Sequence, residues 1–184
     1  MELPAKMKIY GEEFKFFADK RLQAYYHLDF ANFSEKLNRD HYICHIVLLI
    51  PFRITNYESI FEIEDQAIEE LFVKKAEITK DNSVFSLFVE FTEGASIIPD
   101  LNMIRNINKR KKSIEKKRNV LLNYAVAIVP KKFGKTYKIF KFVTKYFSGG
   151  EEMGIVVHNY EEAMGRINAI DNIMDAKNFE KAIG

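Results

Sequence analysis

From Val84 onward the chain switches period three times in one order, an apolar run of strand length followed by a helix-like segment. No other feature of the sequence constrains the fold as much. The first run, 84–91, leads into a helix that opens at Pro99 and reaches about Lys117; 120–129 leads into 135–147; 154–158 leads into a helix beginning at Tyr160. Each joint carries its own signal. Asp81 and Asn82 make a turn, Pro99 suits a first helical turn because the N–H it lacks would be unpaired there, and Pro130 stops the second run. Gly149 and Gly150 break the chain after the aromatic helix, and Asn159 with Glu162 forms an N-cap. Such alternation predicts a mostly parallel sheet with helices packed on it.

The first third reads differently. Over 22–30 the residues Leu22, Ala24, Tyr26, Leu28 and Phe30 share one face, and Gln23, Tyr25, His27 and Asp29 the other, as in a half-buried strand that pairs with 13–18. Residues 42–52 are apolar almost throughout, which predicts a central strand covered on both faces. Between about 65 and 78 the spacing of Ala67, Ile68, Leu71, Phe72 and Ala76 predicts an amphipathic helix, with Glu69, Glu70, Lys74 and Lys75 on its other side. A start as early as Tyr57 and an extension of the sheet are both compatible with NYESIFEIE. The order is βββα(βα)3, an α/β fold with a sheet of five to six strands. Its 184 residues, 47% apolar with 16 Phe, suffice for one core, so residues 1–170 form one domain and 171–184 a helical tail. The tail, following Ile170 and carrying Ile173 and Met174, either covers a sheet edge or pairs with a second copy in a homodimer.

The single Cys44 excludes an intramolecular disulfide and lies in the apolar run HYICHIVLLI, as a buried thiol would in a reducing, cytoplasmic setting. The first residues lack an apolar signal core, and apolar runs such as 46–50 fall far short of the roughly 20 residues that span a bilayer. A soluble protein is expected.

Recognisable chemistry is sparse. Residues 131–136, KKFGKT, sit between strand and helix like a phosphate loop, but the required first glycine is Val129. His41 and His45 lie about 13 Å apart along a strand while Cys44 points the other way, so the three do not converge on a metal. His27 and His158 have no nucleophile or acid at a telling spacing. The expectation is therefore a protein that is not an enzyme and has no cofactor or metal. The 28 basic and 26 acidic residues nearly cancel, so any electrostatic role is local. The strongest basic run holds Lys109, Arg110, Lys111, Lys112, Lys116, Lys117 and Arg118, more cations than compensation of one helix dipole needs. It suits an anionic surface, with nucleic acid the least favoured because no base-stacking aromatic motif stands beside it.

Two segments carry a resemblance. VEFTEGASIIPDLN resembles the strand, small-residue turn and helix start of the bacterial SpoIIAA-like branch of the STAS fold, also called STAS/SEC14-like. YAVAIVPKKFGKTYKIFKFVTKYFSGGEEMGIVVHNYEEAMGRI is similar to that family's penultimate strand, helix, last strand and closing helix. The resemblance implies a non-enzymatic regulatory or scaffold module acting by protein contact, with Thr92, Glu93, Ser96, Asp100 and Asn102 on the partner-binding surface. Phosphorylated members carry a serine at the helix start, where phosphate meets free N–H groups. Here Pro99 and Asp100 stand there and the nearest hydroxyl is Ser96, so the phospho-switch is not expected. The SEC14 side of the resemblance implies an alternative, a carrier or sensor of lipid or another apolar ligand. Phe140, Phe142, Tyr146 and Phe147 would line its pocket and the basic run would face the membrane.

Overall fold

The computed structural model describes residues 3–31, 41–53, 57–74, 84–93, 95–96, 109, 113, 121–147 and 154–167. Its main sheet has seven strands, β1 Lys6–Ile9, β2 Glu12–Ala18, β3 Gln23–Ala31, β4 His41–Leu48, β6 Val84–Phe91, β8 Leu121–Ile128 and β9 Gly154–Val157, in that spatial order. Strands β1 to β4 pair antiparallel, while β4, β6, β8 and β9 pair parallel. The fold is thus α/β with an evenly mixed sheet, which corrects both the expected strand count and the expected parallel majority. The additional strand is β1. It has only four residues, too few for its Lys–Met–Lys–Ile alternation to stand out as a strand, and Ile9 alone of them is partly buried.

A two-residue turn at Tyr10 and Gly11 joins β1 to β2, with φ of 53° and 87°. Positive φ at both positions gives the turn a twist that matches the flanking strands. Gly11 adopts it freely, and Gly11→Ala is expected to cost about 1 kcal/mol, read from the urea midpoint.

Helix α1 is Tyr57–Lys74, the earlier of the two starts the sequence allowed. Ile60, Ile63, Ala67 and Ile68 form its buried stripe. A 3-10 turn, Lys131–Phe133, precedes α2, Gly134–Phe147. Helix α3 begins at Tyr160 and is described to residue 167. Asn159 caps it: its Oδ1 accepts the Glu162 N–H at 2.8 Å, and Glu162 Oε2 accepts the His158 N–H at 3.0 Å. Lys109 and Ser113 are helical, whereas most of the helix expected after Pro99, and the tail 171–184, lie outside the described residues.

Both sheet faces are covered. On one, Ala24, Tyr26, Cys44, Ile46 and Leu48 pack against α1, with Phe133 and Tyr137 closing over Val129 at the start of α2. On the other, Ile43, Phe88, Val126, Ile128 and Val157 pack against Ala163 and Ile167 of α3. Beside them Phe14, Tyr25 and Val47 form a third cluster. Tyr25 was expected on the outer face of a half-buried strand. It is fully buried, because the N-terminal segment folds back over it and the Pro4 carbonyl accepts its hydroxyl at 2.8 Å.

Two polar anchors tie α1 to the sheet. The Ser59 hydroxyl, buried in the first turn, donates to Asp19 Oδ2 at 2.6 Å, while Asp19 Oδ1 accepts the N–H groups of Arg21 and Leu22 at 2.7 and 2.6 Å. Burial pushes the Asp19 carboxyl up, but these hydrogen bonds outweigh it and leave the group below its usual range. Ser59→Ala should therefore cost about 1 kcal/mol at neutral pH. The Asp19 contribution itself is present above the unfolded carboxyl pKa and is lost as pH falls through the folded one.

Further along α1, Glu70 accepts from Lys15 Nζ at 2.6 Å and from the Tyr26 hydroxyl at 3.2 Å, so this carboxylate faces the sheet instead of only solvent. Burial and then the Glu70 charge push the Tyr26 phenol up to about 12. Because the folded pKa is raised, this contribution is complete below the unfolded pKa of 10.0 and is lost as pH rises from there toward 12. The alkaline limb of a stability–pH curve should be shallower in Tyr26→Phe than in the parent. Burial, followed by Glu64 and Glu70, also pushes the Cys44 thiol up, which keeps it an unreactive core side chain.

Candidate functional site

Strands β4 and β6 are parallel neighbours, and both run on past the sheet. Beyond their C-terminal ends β5, Phe52–Arg53, pairs parallel with β7, Ala95–Ser96, as a two-stranded ribbon. Ligands of open α/β sheets bind beyond the carboxyl ends of the strands, where connecting segments rise from a rigid base. The base here is firm. The Thr92 hydroxyl donates to the Leu48 carbonyl, so the segment leaving β6 is tied to the end of β4. Pro51, Arg53 and Glu93 are exposed around the ribbon. Of the residues expected to bind a partner, Thr92 thus anchors the segment and Glu93 is presented to solvent. The Ser96 backbone pairs with Arg53, and Asp100 and Asn102 lie outside the described residues.

A polar cluster braces the sheet just beneath. His45 on β4 is 3% exposed, and its Nε2–H donates to Oε2 of Glu90 on β6 at 3.0 Å. The second Glu90 oxygen accepts the Tyr10 hydroxyl, also at 3.0 Å. Four aromatic rings surround the imidazole. Tyr160 lies parallel at 5.0 Å and Tyr10 at 5.8 Å, while Phe14 and Phe88 meet it edge-on at 5.3 and 6.1 Å. Tyr10 and Tyr160 stack on each other at 4.8 Å. Positive φ costs a non-glycine residue about 1–2 kcal/mol. At Tyr10 that strain is offset by the hydrogen bond and ring contacts it delivers across the sheet face. Burial, then the Glu90 charge, raises the Tyr10 phenol far above its ordinary value, so it remains a donor. With its nitrogen and ring faces engaged by protein groups, His45 works as a cross-brace between β4, β6, the N-terminal turn and α3.

Sequence reasoning excludes a metal at His45 but does not find this cluster. Its one signal was Glu90, a carboxylate inside the strand run VFSLFVEF, since a charge in a doubly covered strand needs a partner. His27 and His158 are held separately. His27 stacks on Phe14 at 5.2 Å and its Nδ1–H donates to the Glu13 carbonyl at 3.0 Å. His158 stacks on Tyr137 at 4.1 Å and its Nδ1–H donates to the Val129 carbonyl at 3.0 Å. Cys44 and His45 point to opposite faces. Among the described residues no group of three or more His, Cys, Asp or Glu is arranged to hold a metal, and no helix is long and apolar enough to cross a membrane.

Residues 131–136 form the 3-10 turn and first turn of α2, with Thr136 buried. Within the basic run, Lys109 is exposed on helical backbone; Arg110, Lys111, Lys112, Lys116, Lys117 and Arg118 lie outside the described residues. Phe140, Phe142, Tyr146 and Phe147 belong to α2, but their side chains are outside the described set. Among the described side chains of α2, Thr136 is buried and Tyr137 packs against the first core cluster. Comparisons with family models, curated proteins and solved structures find no match for this chain.

Proposed function

We propose that this protein is a regulatory or scaffold module of SpoIIAA/STAS-like type that works by protein contact, with the β5/β7 ribbon as its docking edge. The observation that carries the reading is the ribbon itself, two strands held beyond the ends of β4 and β6 by the Thr92–Leu48 tie, with Arg53 and Glu93 exposed beside it. A partner meeting it encounters a pre-formed backbone edge flanked by one positive and one negative side chain, so little ordering cost attends binding. The family reading rests on antiparallel strands followed by parallel strand–helix units, and on the two segments quoted above. Pro99 and Asp100 stand in the sequence where phosphorylated members carry their serine, so the contact is independent of serine phosphorylation.

Exchanging the two charges, Arg53→Glu with Glu93→Lys, preserves net charge but inverts the pattern. Affinity purification from the native cells should recover a discrete partner with the parent and lose it, by at least tenfold, with the exchanged variant. Equal recovery by both removes the ribbon as the docking edge.

A further inference from the structure

Charge is segregated along this chain to a degree its +2 net charge conceals. Residues 101–150 contain 14 of the 28 Lys and Arg but only one of the 26 Asp and Glu, Glu115. Eight of the 14 lie between Arg105 and Arg118, and the other six are on the 3-10 turn and α2. From 131 to 147 the basic residues are Lys131, Lys132, Lys135, Lys138, Lys141 and Lys145, with no acid and no Arg. The structure sorts them. Thr136 is buried and Tyr137 packs inward, whereas Lys131, Lys132, Lys135, Lys138 and Lys141 are exposed, with Ile139 exposed among them at 37%. Helical geometry puts positions 135 and 138 on the side away from 136 and 137, with 139 and 141 at its two margins and Lys141 Nζ 5.9 Å from the centroid of the Tyr137 ring.

Folding alone does not call for this pattern. Lysines at 131, 132 and 135 crowd the positive end of the helix dipole, where neither the turn nor α2 has an acidic residue in its first turn. A surface that breaks a local rule without internal compensation is where function is sought.

We infer that the lysine face of α2, Lys131, Lys132, Lys135, Lys138 and Lys141, docks this protein on an anionic bilayer surface. A bilayer fits better than nucleic acid. Lysine is a compact point charge suited to a diffuse layer of headgroups, whereas recognition of phosphates and bases draws on the forked donors of Arg, absent from this segment. The exposed Ile139 adds an apolar contact of the kind an interface accepts. Thr136 and Tyr137 hold the other side of the helix against the protein, so attachment is electrostatic and reversible. This inference does not depend on the ribbon reading, and either can fail without the other.

Sedimentation with vesicles of 30% phosphatidylserine in phosphatidylcholine tests it on the full chain. Each lysine near such a surface contributes about fivefold to the partition coefficient. The triple variant Lys135→Glu, Lys138→Glu, Lys141→Glu should therefore bind at least 100-fold more weakly, and 0.5 M salt should release the parent. Lys6→Glu, Lys8→Glu, Lys20→Glu makes the same net charge change elsewhere and should lose far less. If the α2 variant has an altered circular dichroism spectrum, Lys→Gln at the same three positions replaces it, with a loss of at least tenfold expected. No binding by the parent, equal losses in both triple variants, or tighter binding to a 30-nucleotide RNA than to vesicles would overturn the inference.

Discussion

Phe88→Ala should lower the unfolding free energy by about 4 kcal/mol, among the most damaging single truncations in this sheet. Phe88 is fully buried at the middle of β6, among Ile43, Val126, Ile128, Val157, Ala163 and Ile167. Its ring also meets His45 and Tyr160 edge-on, each at 6.1 Å. Truncation removes apolar contacts and leaves a hole that the strand cannot close, because β6 is paired on both sides by β4 and β8. Urea unfolding followed by far-ultraviolet circular dichroism gives the number directly. A loss below 1 kcal/mol would mean that this face is not packed as described.

Glu90→Ala comes next, at about 3 kcal/mol. The deletion strands two donors, the buried His45 Nε2–H and the Tyr10 hydroxyl, and leaves the positive φ of Tyr10 offset by its ring contacts alone. Tyr10→Phe should cost only about 1 kcal/mol, since the ring stays and one hydrogen bond goes. In the Glu90→Ala background the same change should cost almost nothing, the signature of a coupled pair in a double-mutant cycle. Equal costs in both backgrounds would show that Tyr10 and Glu90 act independently.

The elements legible in the sequence are those whose burial imposes a period. Strand β6 has the expected bounds, α2 and β9 differ by one residue at an end, and the cap at Asn159 forms as its spacing predicts. What the sequence hid was produced by tertiary cover. β1 has four residues, too few for its alternation to be told from chance. Tyr25 reads as an outer-face residue until the N-terminal segment, distant by some twenty positions, folds over it. The same fold-back assembles Tyr10, His45, Glu90 and Tyr160, four residues from four elements whose separations in sequence carry no motif. The ribbon was equally hidden, since two-residue strands are too short for any period. The lysine face of α2 was legible as composition, but only the burial of Thr136 and the inward packing of Tyr137 show which side it occupies.

The claim that most needs testing is that the β5/β7 ribbon contacts a partner. Site-specific photo-crosslinking answers it in the native cell, with a photoreactive residue placed at position 53 or 93 and, as control, at the exposed position 20 on the β2–β3 turn. The account predicts one discrete higher-mass adduct from 53 and 93 and none from 20. Adducts from none of the three, or equally from all, would contradict it.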